Sequence, residues 1–379
     1  MPTPPVRASR MPVLTAAIVA LSGGAAACAQ PMFHITEIPL LPGTTSSHAQ
    51  AVNNLGQVVG YARASSSDCR AFLFDPATGV LTTIGQLTNL GAGGDTAGPK
   101  SINDSGEVVG TFIQTPSGRP HAFYWHGGPM IDITTPRPDG QIVSAEARGI
   151  SPGGLIVGLN ELACDSPTPF ARPAYWTDPA SRAQVADLPG QCGSGFPMMA
   201  INASGAMVGR EYILVDGFTW GRPTVTNLPL TQVMLPTFDG TFEGHGNAWG
   251  INAAGIVCGN SEDRSGGGGH ACFWTGTTIT TLNGLFGHGA FDEARAINDG
   301  GDIVGMSYDG AFRAVIWPGL SPTAIDLQTL ISNATALTLS SADGISTTGF
   351  IAANADTVGP NARGVLLAPC TPAFLAAPA

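Results

Sequence analysis

Two identical triplets, Glu146-Ala147-Arg148 and Glu293-Ala294-Arg295, stand at matching places in the chain. A pair of carboxylates at one site is the equipment of glycoside cleavage. Carboxylates interleaved with guanidinium groups could equally bind a polar ligand such as a carbohydrate or an anion. The plainer alternative is that each Glu neutralises its own Arg and keeps the pair solvated. The same places elsewhere in the chain hold His48 and Gln50, Lys100, Asn247 and Trp249, and Asp343. The candidate ligand site is therefore His48, Lys100, Glu146, Arg148, Trp249, Glu293, Arg295 and Asp343, and no residue is assigned as catalytic.

Other chemistries find little support. There is no G-x-S-x-G, H-E-x-x-H, GxxxxGK[ST] or EF-hand string. His245 and His288 stand singly in Gly-rich loops, and one His per loop does not make a metal site. No C-x-x-C pair exists, so neither a metal nor a cofactor is expected. The N-D-S-G and N-D-G-G turns hint at a sialidase Asp-box. They lack its S-x-D-x-G-x-x-W order, and no Tyr nucleophile with an arginine triad can be placed.

The elements that must position these side chains are repeats. The strings VNNLGQVVG (52–60), INDSGEVVG (102–110), ISPGGLIVG (150–158), INASGAMVG (201–209), INAAGIVCG (251–259), INDGGDIVG (297–305) and ISTTGFIAA (345–353) recur at spacings of 50, 48, 51, 50, 46 and 48. A fixed period of this size marks a propeller, solenoid or array. Each string reads as strand, tight turn, strand: the Asn accepts backbone hydrogen bonds, the Gly tolerates positive φ, and the flanks are β-branched. A third strand follows at 70–74, 121–125, 172–176, 216–220, 270–274, 313–317 and 363–367. A fourth follows six of these, at 81–85, 130–134, 184–188, 224–228, 278–282 and 324–328. The seventh copy lacks one, and FHITEIPLLPG (33–43) supplies the missing strand from the other end.

The fold class expected is therefore all-β: a seven-bladed β-propeller of four-stranded antiparallel blades. The ring closes when the N-terminal strand pairs beside 363–367, which removes the exposed edges of an open array. A solenoid would need polar caps, and none is visible. The 1–2 turns are tight and the 3–4 turns mostly short. The 2–3 connections (61–69, 111–120, 159–171, 260–269) and 4–1 connections (86–96, 135–144, 229–246, 283–291) are long and variable. Both kinds emerge on one face, the candidate working surface. The first strand of each copy lines the channel. Small residues (Ala49/Ala51, Ala147/Gly149, Ala248/Gly250, Ala294/Ala296) let the blades converge there, and the alternating polar residues cluster near its mouth.

Composition agrees. The 379 residues include 51 Gly and 30 Pro, which suits short strands and turns. Charged residues are 11%, against about 25% in ordinary soluble domains. The net charge is −11, and without Arg7 and Arg10 it is −13 (−11 − 2). With no basic cluster, neither nucleic acid nor an anionic lipid surface is an expected partner.

Residues 1–29 read as a signal peptide, with Arg7 and Arg10 before an apolar stretch. The AAACAQ string allows cleavage after Ala29, or lipid attachment at Cys28. The second reading is weaker, because Ala25 stands where a lipobox usually carries Leu. The domain plan is leader 1–29, propeller 30–370 and tail 371–379, with no later run of about 18 apolar residues to span a membrane. Six further cysteines in an exported chain permit disulfides. The favoured pairing is Cys164 with Cys192, which share a repeat.

The alternation of H-A-F-x-W with I-N-x-x-G-x-V-V-G resembles the bacterial HAF family of probable extracellular repeats. The resemblance rests on His121-Ala122-Phe123, the variants at 70–72 and 270–272, and the closing RGVLLAP (363–369). It covers about residues 33–370. It implies an exported bacterial protein, secreted, periplasmic or on the cell surface, and carries no activity or cofactor over. The function expected is a non-enzymatic binding or scaffold module for a glycan or cell-envelope component. The alternatives are a polysaccharide hydrolase or lyase using Glu146 and Glu293, and a structural surface component.

Overall fold

The computed structural model describes residues 33–65, 67–87, 97–115, 117–136, 144–161, 172–180, 184–185, 198–215, 218–227, 231–238, 245–262, 269–286, 291–308, 310–356 and 362–370. The leader, Cys28, Cys164, Cys192, His288 and the tail 371–379 lie outside the described residues.

Seven four-stranded antiparallel sheets form the seven blades. Their inner strands are Ser46–Val52, Gly98–Ile102, Ala145–Ile150, Met198–Ile201, Gly246–Ile251, Phe291–Ile297 and Leu339–Ile345. The ring closes as expected: Phe33–Glu37 is the outer strand of blade seven, with Phe33 opposite Pro369 and Glu37 opposite Val365. Phe33 is 1% exposed, and Arg363 Nε donates to Glu37 Oε1 at 3.0 Å across the seam.

The buried apolar residues fall into seven clusters, each shared by two neighbouring blades. The cluster between blades one and two, for example, joins Val59, Ala71 and Leu73 to Ile102, Val108 and Phe123. A blade is too thin to bury a core alone, so the blade interface is the unit of hydrophobic stabilisation.

Two motif residues act between blades as well as within them. The turn Asn accepts locally, as when Asn252 Oδ1 takes the Ile256 N–H at 2.9 Å. Its amide nitrogen then reaches the turn of the following blade. Asn53 donates to Asn103 O (3.1 Å), Asn103 to Ser151 O (3.3 Å), Asn202 to Asn252 O (2.9 Å), Asn252 to Asn298 O (3.2 Å) and Asn298 to Ser346 O (3.3 Å). The third-strand Trp ties back to the preceding blade: Trp176 Nε1 donates to Ile133 O (2.9 Å), Trp274 to Pro236 O (2.8 Å) and Trp317 to Asn283 O (2.9 Å). Buried indole N–H groups require such a partner.

Blade four departs from the expected strands. Its third strand is the long Phe218–Asn227, paired with Met207–Val215 so that Thr226 stands opposite Met207. The stretch 224–228 therefore belongs mainly to the third strand, and the outer strand is Thr231–Met234. Trp220 lies opposite Ile213, farther along the hairpin, because this hairpin is extended and its aromatic string is displaced from the usual register. The second strands of blades one and two also run into stretches expected as loop, to Arg63 and Gln114.

Candidate functional site

Every inner strand carries a β-bulge at one equivalent place. In blade one Ala49 pairs with Gly60 and Ala51 with Val59, so Gln50 is the extra residue. The extra residues of the other blades are Lys100, Arg148, Met199, Trp249, Arg295 and Asp343. A bulge re-aims the side chain it frees, and all seven of these line the central channel.

The motif glycine and the bulge are one device. A Cβ at Gly60 would lie 2.0 Å from His48 O, at Gly158 1.9 Å from Glu146 O, at Gly259 1.9 Å from Asn247 O and at Gly305 1.8 Å from Glu293 O. Only glycine admits the carbonyl that the bulge pushes over the second strand. The small residue after each bulge serves blade convergence: a Cβ at Gly149 would stand 3.2 Å from Ala200 Cα, and one at Gly344 3.2 Å from Ala51 Cα.

The bulge ring lies between two chambers. The mouth chamber, of about 470 Å³, is also lined by His48, Glu293, Met306, Phe312, Ser340 and Ser341. Phe312 begins a third strand, which places this chamber on the face of the 2–3 connections. The inner chamber, of about 270 Å³, continues past the small residues to an aliphatic ring that includes Val52, Ile150, Ile251 and Ile345.

Charges around the ring are unevenly shared. Arg295 Nε donates to Glu293 Oε2 at 2.9 Å, and its Nη1 is engaged by Asp343. Asp343 also accepts from Ser341 Oγ (3.1 Å) and from the Asn354 amide, with His48 Nε2 at 3.8 Å. Burial opposes the Asp343 carboxylate, but Arg295, then His48 and the donated hydrogen bonds outweigh it and hold its pKa below the usual Asp value. Burial likewise opposes the Arg295 cation, and Asp343 and Glu293 more than restore it. In blade three, Arg148 Nε donates to Glu146 Oε2 at 2.8 Å, and Nη2 reaches the same oxygen. With the Gln50 amide turned so that its nitrogen donates to Pro99 O (2.6 Å), its oxygen accepts from Lys100 Nζ at 3.1 Å.

The remaining ring members are Met199 and Trp249. Trp249 Nε1 donates to Asn260 Oδ1 at 3.1 Å, and Asn260 is 5% exposed. That bond fixes the indole. Opposite the rim, Tyr61 stacks on His48 at 5.3 Å between ring centroids, and Arg63 lies over Tyr61.

The structure thus brings His48, Lys100, Arg148, Trp249, Glu293, Arg295 and Asp343 to one cavity, while Glu146 stands behind Arg148 as its carboxylate partner. Composition of the first strands put Gln50 among the polar positions near the mouth but not in the candidate ligand site, and it did not single out Met199 as a ring member, nor Met306, Phe312, Ser340 and Ser341 as lining. A usable signal existed: the bulge residue precedes the last motif position by ten, as in Gln50 to Gly60, Met199 to Gly209 and Asp343 to Ala353.

Outside the channel, His121 is buried, and its Nδ1 bonds Asp132 Oδ2 at 2.7 Å. The third-strand His of blade two is thus a polar strand residue held by a carboxylate of its neighbouring outer strand. Among the described residues no cluster of His, Cys, Asp or Glu could hold a metal ion. Cys69, Cys258, Cys272 and Cys370 are free thiols.

No family model matches the chain, and no curated protein does. Solved propellers do. The β-propeller domain of the Trilobed protease from Pyrococcus furiosus aligns with a TM-score of 0.57 at 8% identity, over 90% of this chain and 98% of that one. Streptogramin B lyase gives 0.51 at 14% identity, over 89% and 98%. The acylaminoacyl peptidase of Pyrococcus horikoshii gives 0.53 at 10% identity, over 86% of this chain and 52% of that one. At these identities the likeness is one of fold. The Pyrococcus furiosus propeller is described as having an open velcro topology, whereas the seam of this chain is paired.

Proposed function

We propose that the protein is a non-enzymatic binding module, exported from a bacterium to the periplasm, cell surface or surroundings, that takes a polar ligand of the glycan or cell-envelope class into the channel mouth. The observation that carries this reading is the bulge ring. Seven blades spend an irregularity at the same position to aim seven side chains of six types at one cavity of about 470 Å³, within the usual range of small-ligand sites, about 300–1,000 Å³. The backbone repeats while the ring residues differ, which is the pattern of a recognition surface on a rigid scaffold. The leader-like segment and the resemblance to the HAF repeats support export. Lipid attachment at Cys28 would keep the module on a membrane surface.

Glu146 and Glu293 are each engaged by the arginine two residues along. That favours orientation of the arginines over glycoside cleavage. The test is retention of the purified chain on immobilised envelope polysaccharides and a glycan array, with Trp249→Ala as control. Saturable binding that Trp249→Ala abolishes is expected. Absence of binding to every glycan and envelope fraction would overturn the proposal.

A further inference from the structure

The ring is not merely polar but sectored. Going round the blades, Gln50, Lys100 and Arg148 form a sector with two cations, and Glu146 bonds Arg148. Met199 and the fixed indole of Trp249 form an apolar sector, and Phe312 of blade six also lines the mouth. Glu293, Arg295 and Asp343 form the third, with two carboxylates on one guanidinium. The formal charges are thus +1 for the first sector with Glu146 included (two cations, one anion) and −1 for the third (one cation, two anions).

Arg148 spends Nε and Nη2 on one oxygen of Glu146. Among the described residues its Nη1 makes no hydrogen bond, and Arg148 lines both chambers. Arg295 similarly has Nε and Nη1 occupied. The facing carboxylates and the hydroxyl oxygens of Ser340 and Ser341, whose protons go to Asn354 O and Asp343, can accept from hydroxyl groups. The indole face offers a flat apolar platform.

We infer that the ligand is a carboxylated sugar of the uronic-acid type, its carboxylate held by Lys100 and Arg148, its ring against Trp249, and its hydroxyls toward Glu293 and Asp343. This rests on the binding-module reading and deepens it. A carboxylate meets a charge-assisted donor pair, the strong class of hydrogen bond. A polyol meets acceptors already oriented by Arg295, and the sugar's apolar face meets the aromatic wall. Each part of the ligand has a sector, and opposite formal charges set its direction in the cavity.

The test is calorimetric titration of the mature chain with glucuronic acid, its methyl ester, glucose and the amino acid glutamate, at two salt concentrations. Glucuronic acid should bind at least about tenfold tighter than glucose or the ester, the difference one charge-assisted bond makes. That advantage should shrink with salt. Lys100→Met and Arg148→Met should weaken glucuronic acid far more than they weaken glucose, and so erase the acid's advantage. An unfolding midpoint for each variant separates lost recognition from lost fold, and the ligand-side comparison needs no variant. Equal affinity for acid and glucose overturns the carboxylate assignment while leaving a glycan-binding module intact. Tighter binding of glutamate overturns the polyol assignment. If no sugar of any kind binds here or on the array, the binding-module reading fails instead.

Discussion

Asn252 offers the sharpest test of how the blades are joined. Its side chain is 3% exposed and works twice: Oδ1 accepts the Ile256 N–H at 2.9 Å, and Nδ2 donates to Asn298 O of the next blade at 3.2 Å. Asn252→Ser keeps an acceptor, as Ser151 does for Leu155 N at 3.0 Å, but loses the donor between blades. The expected cost is about 1–1.5 kcal/mol, one net hydrogen bond. Asn252→Ala loses both and leaves a buried N–H without its acceptor, for about 2–3 kcal/mol. Asn252→Asp separates the roles. The acceptor survives, but a buried carboxylate now faces the Asn298 carbonyl, for about 3 kcal/mol or more at neutral pH. Burial and that carbonyl raise the folded-state pKa of the introduced carboxyl above its unfolded value of about 3.9. Below the unfolded value the carboxyl is protonated in both states and can donate as Asn does. As pH rises from there through the folded-state pKa, the variant loses stability relative to the parent. Urea unfolding of parent and variants between pH 4 and 8, read as differences at each pH, reports this directly. If Asn252→Asp matches Asn252→Ser at pH 7 and its difference from the parent is flat with pH, the Nδ2 bond contributes nothing and the staple argument is wrong.

Further outcomes follow from the same geometry. Gly305→Ala places a methyl 1.8 Å from Glu293 O and should cost about 3 kcal/mol or more by overpacking, whereas Gly149→Ala, with its nearest contact at 3.1 Å, should cost about 1 kcal/mol; paired unfolding curves compare them. The depressed Asp343 pKa means its contribution is present above the unfolded value of about 3.9 and is lost as pH falls through the folded one. Asp343→Asn should therefore flatten the acid limb of the stability profile measured between pH 5 and 2. Phe33→Ala should open the seam, with a loss of about 3–5 kcal/mol for a buried Phe and faster hydrogen exchange in 363–369 than in blade five. Burial pushes the Cys69 thiol up to about 11 and raises Cys258 and Cys272 too. A thiol reagent on native protein should accordingly modify Cys370 and spare those three until unfolding.

The blade count, the seam and the faces were legible because they depend on periodicity, which seven copies make audible above local noise. The fourth blade departs from its sequence pattern for the converse reason. One copy there extends its second and third strands together, so the aromatic string of 216–220 moves along the hairpin. Thr226 stands where the other copies put a Trp, Phe or Leu, a substitution that only the register in space identifies. The channel residues were mostly found because small and large side chains alternate along the first strands. Met199 is not distinguished in sequence from a core residue of its short strand, and Phe312 lies on a third strand, outside the alternation that marks the ring.

The motif glycine explains why the site could be read at all. It tolerates the bulged carbonyl of the inner strand, so wherever the glycine stands, the residue ten places earlier is turned toward the axis. That constraint acts on the backbone and not on the identity of the turned side chain, which lines the channel. The repeat therefore holds seven positions geometrically fixed and chemically open. In blade seven the glycine is Ala353, and the inner strand there takes a second irregularity, between Leu339 and Ser341. That blade also carries Asp343, the one acidic member of the ring, held by donors from its own strands and from blade six. Relaxing the repeat in one copy thus coincides with placing the residue that most needs neighbours built for it.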